Sequence, residues 1–127
     1  MKKESVQEFI ERKGEEFRKE KSLILMKDIG RKGKRFYLRE AWTFLPQSNL
    51  SDKVLILERL RKERYIGNLA YKKAWKKGDI DYRIGYFIVG KVGRAKRKWV
   101  WGQFSPIIPR RDLLKLLEKA KKEKTII

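Results

Sequence analysis

Residues 67–104 contain runs in which apolar and polar side chains alternate, separated by short turns rich in glycine and lysine. A period of two is the pattern of a β-strand that contacts a core on one or both faces. We therefore predict three antiparallel strands, roughly at 67–75, 80–90 and 97–104. Both faces of the middle strand carry apolar residues, which indicates that both are covered. One face consists of Tyr82, Ile84, Tyr86 and Ile88, and the other of Arg83, Gly85, Phe87 and Val89.

Two amphipathic segments near the ends of the chain predict helices that cover this sheet. Residues 4–20 repeat apolar side chains at helical spacing, with glutamates between them. Pro109 suits the start of a second helix, whose apolar stripe consists of Leu113, Leu116, Leu117 and Ala120. The predicted fold class is α+β, with an antiparallel sheet of three to five strands covered by the N- and C-terminal helices. The length predicts a single domain spanning residues 1–127.

Three further segments fit more than one structure. Residues 22–45 have the pattern of a β-hairpin with a basic turn, although 36–44 could also be helical, and we favour the hairpin. Residues 52–64 could form a helix capped by Ser51, but the apolar run at their start also fits a strand. We favour the helix. A helix at this position, followed by a β-hairpin wing, would also fit a winged-helix fold, which is therefore an alternative. Residues 125–127 should either fray or add a short strand.

The chain contains no cysteine and no histidine. Zinc sites built from thiolates and imidazoles, cysteine nucleophiles and Ser-His-Asp triads are therefore excluded. These absences favour a protein that is not an enzyme, and we expect no cofactor. No apolar run is long enough to cross a membrane, and the N-terminal segment lacks the pattern of a secretory signal, so we expect a cytoplasmic protein.

The formal net charge is +19, from 35 basic and 16 acidic residues, and the excess is concentrated in the second half of the chain. Within 72–98, ten basic residues stand against only Asp79 and Asp81. Abundant charge with few methionine, asparagine and glutamine residues is typical of a thermophile protein. A surface made only for solubility would mix both signs, whereas an excess of one sign in one segment attracts a polyanion. The phosphate backbone of DNA or RNA is the commonest such partner.

Candidate phosphate contacts lie around the two predicted turns, at 76–79 and 90–96. The first group consists of Lys72, Lys73, Lys76 and Lys77, and the second of Lys91, Arg94, Lys96, Arg97 and Lys98. Arg83 lies in the strand between them. At about 3.4 Å per residue the two turns are about 30 Å apart, so a nucleic acid would have to cross the sheet to touch both. Alternatively, these cations are solvated residues that protect turns and strand edges.

Aromatic residues beside these cations could stack on bases: Tyr71, Trp75, Tyr82, Tyr86, Trp99 and Trp101. The same spacing is that of the core face of a sheet, and we favour the core for most of them. Trp99 and Trp101 share a face, and both are kept as candidate binding residues. If the C-terminal helix covers that face, the candidate surface becomes the opposite one, with Lys98, Val100, Phe104, Arg83 and Phe87.

Asp79 and Asp81 are two residues apart and could hold a magnesium ion, but no third carboxylate has a convincing spacing, and aspartate is common in turns. We therefore predict a nucleic-acid-binding protein with weak sequence specificity that contacts phosphates through a basic β-hairpin surface. The first alternative is a protein-interaction or assembly subunit, which could form a homodimer. The second is a metal-dependent nuclease.

Overall fold

The computed structural model describes residues 3–20, 23–27, 32–67 and 74–127. Its helices and strands are, in chain order, α1 (Val6–Lys19), β1 (Leu23–Lys27), β2 (Lys34–Pro46), β3 (Lys53–Ile66), β4 (Ile80–Val89), β5 (Trp99–Trp101) and α2 (Arg110–Lys122). The strands form one antiparallel sheet in which each strand pairs with its neighbours in sequence. This arrangement confirms the predicted α+β fold. Neither helix in the described ranges is long and apolar enough to cross a membrane.

Helix α1 covers one face of the sheet. It begins with a capping box: the hydroxyl of Ser5 accepts the backbone N–H of Glu8 at 3.1 Å, and the Glu8 carboxylate accepts the backbone N–H of Ser5 at 2.9 Å. The apolar stripe of the helix buries Phe9 completely. Around Phe9 lie six buried residues of the sheet: Phe44, Val54, Ile56, Phe87, Val89 and Trp99. The helix predicted over 4–20 is confirmed.

Helix α2 covers the opposite face, which confirms that the C-terminal helix packs on the sheet. The buried cluster beneath it consists of Leu55, Leu57, Tyr86, Leu116 and Ala120. After the helix, the hydroxyls of Thr125 and Thr43 lie 2.7 Å apart, and the backbone N–H of Ile127 donates to the hydroxyl of Tyr82 at 2.9 Å. The tail therefore neither frays nor forms a strand, because hydrogen bonds to the backbone of Ala120 and to the side chains of Thr43 and Tyr82 hold it.

The central strand β3 shows that the helix predicted over 52–64 is wrong. Val54 and Ile56 belong to the core under α1, whereas Leu55 and Leu57 belong to the core under α2. A strand that is buried on both faces has a continuous apolar run, and periodicity alone cannot distinguish such a run from a buried helix. The winged-helix alternative is also wrong, because it requires a helix at this position.

Strands β1 and β2 form the hairpin predicted over 22–45. The pairing of β2 with β3 contains two register shifts, and shifts of this kind bend and twist a strand. The sheet therefore curls around α1, so that its α1 face is concave. The curl brings β1 toward β4, although these strands are not neighbours in the sheet. Their proximity is seen in the distance of 3.5 Å between Nη1 of Arg83 and the sulfur of Met26.

Strand β4 confirms the strand predicted over 80–90, the strand predicted over 97–104 is correct in part, and no described residue of 67–75 is in a strand. Strand β5 occupies three of the residues 97–104. In the segment 67–75, residues 68–73 lie outside the described part of the chain, and the remaining ones, Gly67, Ala74 and Trp75, are not in a strand. The Trp75 ring packs over the end of the sheet instead, edge-on to Tyr37 at 5.5 Å between centroids.

Under α2, Glu40 binds Arg59 at 2.7 Å and Arg61 at 2.6 Å, and Arg59 also donates to the backbone oxygen of Lys124 at 2.9 Å. The hydrogen bond from Arg61, with the charges of both arginines, lowers the pKa of the Glu40 carboxyl below its ordinary 4.5. A carboxyl with a lowered pKa stabilises the folded protein above its unfolded pKa, and this stabilisation disappears as the pH falls through the folded value.

We therefore expect Glu40→Gln to reduce the free energy of unfolding by about 1 kcal/mol at pH 7, since the side chain is partly solvated. The difference from wild type should shrink as the pH falls below 4.5, the ordinary carboxyl value. Urea unfolding at a series of pH values measures it. A difference that stays constant down to the acid end of the series would contradict the assigned role of Glu40.

Candidate nucleic-acid interface

The loop that joins β4 to β5, residues 90–98, is held by its own backbone, and we call it the basic loop. The N–H of Gly90 donates to the oxygen of Lys98 at 3.0 Å, and the N–H of Arg97 donates back to the oxygen of Gly90 at 3.0 Å. A Cβ atom at position 90 would lie 2.2 Å from the backbone oxygen of Ala95, so the loop closes this tightly only with glycine there. The cationic side chains therefore extend from a well-defined base.

The basic loop borders a depression of about 430 Å³, whose charged lining consists of Lys3, Asp52, Lys91, Lys96 and Arg97. The Asp52 carboxylate is bound by Lys3 and, at 3.3 Å, by Lys91. These contacts, chiefly the one from Lys3, lower the pKa of Asp52. Lys96 has no ion-pair partner in the part of the chain that the structure describes. Among the described residues, the depression is thus lined by four cations and one carboxylate, which binds two of them.

More cations lie at the same end of the sheet, where β3 begins and β4 ends. Arg94 and Lys98 of the basic loop are exposed, and neither forms an ion pair within the described ranges. Helix α2 also begins here, because the Asp112 carboxylate accepts the backbone N–H of Ser48, in the β2–β3 turn, at 2.8 Å. The first two residues of α2 are exposed arginines. We call this surface the basic end; it consists of the basic loop, Lys3, Arg110 and Arg111.

The cations predicted at the first turn lie away from the basic end. The ten residues of β4 separate that turn from the basic loop, as the sequence predicts. Lys76 and Lys77 are exposed, and Lys77 lies 3.6 Å from Glu63. Lys72 and Lys73 lie outside the described residues. Among the described residues, the second predicted group therefore lies at the basic end, and Lys76 and Lys77 lie at the other end of β4.

Trp99 lies in the core, and α1 rather than the C-terminal helix covers it. The indole ring stacks on Phe9 with the centroids 4.9 Å apart, and its N–H donates to the backbone oxygen of Glu4 at 3.0 Å. Only 8% of the residue is exposed. A base could reach this ring only if α1 moved away.

Trp101 is half-buried on the same concave face. Its ring centroid lies 5.1 Å from that of Phe87 and 4.5 Å from the guanidinium carbon of Arg83. The register of the two strands places Trp101 directly opposite Phe87, and a Cβ atom at Gly85 would lie 2.3 Å from the indole. The prediction that Arg83 and Phe87 share the face of Val100, opposite the tryptophans, is therefore wrong.

The other aromatic residues of the predicted stacking surface are largely engaged within the protein. Tyr86 is buried, Tyr82 is hydrogen-bonded to the tail, and Trp75 packs against two tyrosines. Tyr71 lies outside the described residues. Phe104, in the connection from β5 to α2, is 79% exposed. Among the described aromatic candidates, Phe104 is thus more exposed than Tyr82, which is 42% exposed but hydrogen-bonded through its hydroxyl.

Asp81 has partners within the fold. It accepts a hydrogen bond from the hydroxyl of Tyr37 at 2.8 Å and lies 3.7 Å from the ammonium of Lys62. Within the described ranges, no three acidic side chains come together in a way that could hold a metal ion. The pair Asp79 and Asp81 therefore gives the nuclease alternative no support from geometry.

The structure contains two ion-pair arrangements that were not predicted from the sequence. The first joins Lys3 to Asp52 across 49 positions, and no local pattern indicates such a contact. The second is Glu58, which is fully buried between Arg39 and Arg83. The sequence does contain a signal for this ion pair: Glu58 directly follows an apolar run, and a carboxylate buried at such a position requires a cationic partner.

Comparisons of the chain with protein-family models, with curated proteins and with solved structures find no match.

We expect Trp99→Leu to reduce the free energy of unfolding by about 2 kcal/mol, because it removes ring contacts and the hydrogen bond to Glu4. At temperatures where the variant is folded, its affinity for nucleic acid should equal that of the wild type. Thermal unfolding and a binding titration measure the two quantities. A loss of affinity in the folded variant would instead show that the ring contacts bases.

Proposed function

We propose that this protein binds nucleic acid with little sequence preference, and that the basic end contacts the phosphate backbone. The observation that supports this most strongly is the depression beside the basic loop, whose lining contains four cations and Asp52. Cations gathered in one concave place raise the local positive potential and attract a polyanion. The net charge of +19 adds a long-range attraction to the same partner.

Phosphate contacts rather than base contacts would supply the affinity. Lysine and arginine on an exposed loop can bind phosphate oxygens whatever the base sequence, and such contacts carry little sequence information. Trp99 is buried and Trp101 lies in the concave face, so base stacking on them is not part of the proposal. A binder of this kind should accept several nucleic-acid forms, with an affinity that depends on salt.

A fluorescence-anisotropy titration tests this function. Single-stranded DNA, duplex DNA and RNA, each in two unrelated sequences, are titrated with the protein at about 50 mM salt. We expect binding to at least one form, with affinities for the two sequences of that form within a few-fold of each other. Absence of binding to all three forms would reject the proposal and favour the protein-interaction alternative. A large preference for one sequence would contradict phosphate-based recognition.

Asp52→Asn should strengthen nucleic-acid binding, because it removes the carboxylate that holds Lys3 and Lys91. One more cation available to a phosphate corresponds to an increase of up to about tenfold in affinity near 0.1 M salt. Asp79→Asn is the matched control, since it makes the same charge change at the other end of β4 and should alter the affinity less. Equal or weaker binding by Asp52→Asn would place the phosphate away from this depression.

A further inference from the structure

The concave face of the sheet contains a second charged cavity, distinct from the basic end. It has a volume of about 370 Å³ and lies between the C-terminal half of α1, the edge strand β1 and the β4–β5 pair. Its charged lining consists of Lys13, Glu16, Glu20, Arg39 and Arg83, and its apolar lining of Phe17, Leu23, Ile24, Phe87 and Trp101. Small-ligand pockets have volumes of roughly 300–1,000 Å³, so the cavity has a suitable size.

Two guanidinium groups at this cavity share one carboxylate. Nε of Arg39 and Nε of Arg83 each lie 2.6 Å from an oxygen of Glu58, and Nη2 of Arg83 lies 3.1 Å from one of the same oxygens. Glu58 is fully buried, and its single negative charge can neutralise only one of the two guanidinium groups. The two arginines therefore carry one positive charge more than the carboxylate between them neutralises.

The arginines are also fixed in orientation. The guanidinium carbon of Arg39 lies 3.8 Å from the centroid of Phe17, and that of Arg83 lies 4.5 Å from the centroid of Trp101. Arg39 uses only Nε on Glu58, and its two Nη groups have no hydrogen-bond partner in the described ranges. Planar donors held in this way match the oxygens of a phosphate group.

We propose that this cavity binds a phosphorylated small molecule of about mononucleotide size. Arg39 and Arg83 would bind the phosphate, and the organic part would lie against the apolar lining of the cavity. An isolated phosphate ion would fill only a small part of the 370 Å³ cavity. Of the two acidic residues at the border, Glu16 is already bound by Arg12 and Lys13. Glu20 has no side-chain partner among the described residues, so it opposes an anion.

Calorimetric titration tests the site with three probes: adenosine 5′-monophosphate, inorganic phosphate and adenosine. We expect the monophosphate to bind, phosphate to bind more weakly and adenosine to show no measurable binding. Arg39→Gln should weaken binding of the monophosphate at least tenfold. It leaves Glu58 and Arg83 as a balanced pair, so the fold should persist. Arg39→Lys, which keeps the charge but loses the planar donors, should give an intermediate loss.

Two further variants distinguish binding in this cavity from binding at the basic end. Glu20→Gln alters an exposed side chain and should tighten monophosphate binding several-fold, whereas an unchanged affinity would overturn the proposal even if Arg39→Gln failed to fold. The triple variant Arg94→Ala, Lys96→Ala, Lys98→Ala should bind the monophosphate like the wild type. If the triple variant loses this ligand, the nucleotide binds at the basic end and the proposal is wrong. Absence of monophosphate binding to the wild type would also overturn it.

Discussion

Glu58→Ala should lower the free energy of unfolding by about 3–5 kcal/mol, the usual effect of removing one partner from a buried ion pair. Glu58 is fully buried between Arg39 and Arg83, whose Nε atoms both lie 2.6 Å from its oxygens. Without the carboxylate, two guanidinium groups would remain close together on the concave face, partly out of water and without a countercharge. A loss of this size is a large share of the stability of a folded protein, which is typically about 5–15 kcal/mol.

Urea unfolding at pH 7 measures this effect. The matched control is Glu63→Ala, on the same strand, because Glu63 pairs with Lys77 near the surface at 3.6 Å. The control should change the free energy of unfolding by less than about 0.5 kcal/mol, since exposed pairs contribute little. If Glu58→Ala and Glu63→Ala were equally stable, Glu58 would not be the buried countercharge of the two arginines.

The second large effect concerns the basic loop. Replacing Arg94, Lys96 and Lys98 together by alanine should weaken binding of single-stranded or duplex nucleic acid on the order of 100-fold at about 0.1 M salt. All three side chains are exposed and unpaired within the described ranges, so the fold should tolerate their removal. Anisotropy titrations measure the affinity, and thermal unfolding checks that the variant is folded.

The control for this variant removes three cations elsewhere: Lys19, Lys121 and Lys122, which are exposed in the last turns of the two helices. Both helices begin at the basic end, so these last turns are about 20 Å away from it. The control should bind within a few-fold of the wild type. Equal losses in the two triple variants would mean that net charge, rather than the basic end, determines the affinity.

The elements that local patterns predict are those with a recognisable period or clear boundary signals. Helix α1 has a capping residue and a single apolar stripe, and β4 has turns at both ends, so their bounds lie close to the prediction. Strand β3 is the opposite case. It lies between both helices, and its inward side chains on the two faces give a continuous apolar run without a diagnostic period. Its identity is determined by the tertiary structure.

Part of the candidate site can likewise be predicted from the sequence, and part depends on the tertiary structure. The cations of the basic loop follow from composition and from the glycines of a turn, and the structure brings them together. The depression they border also depends on Lys3 and Asp52, which meet only because α1 begins beside the start of β3. The environment of Trp99 depends on which helix covers its face, and that choice is made by packing rather than by the period of the strand.

The salt dependence of binding shows whether the basic end neutralises the phosphate backbone. Wild-type affinity for a single-stranded oligonucleotide is measured between about 50 and 300 mM salt, and its logarithm is plotted against the logarithm of the salt concentration. If the basic end neutralises at least three phosphates, the plot should be linear with a slope of about −2 or steeper, and the triple variant Arg94→Ala, Lys96→Ala, Lys98→Ala should flatten it by about 2. An affinity that does not change with salt, or a slope that the triple variant keeps, would contradict binding through the basic end.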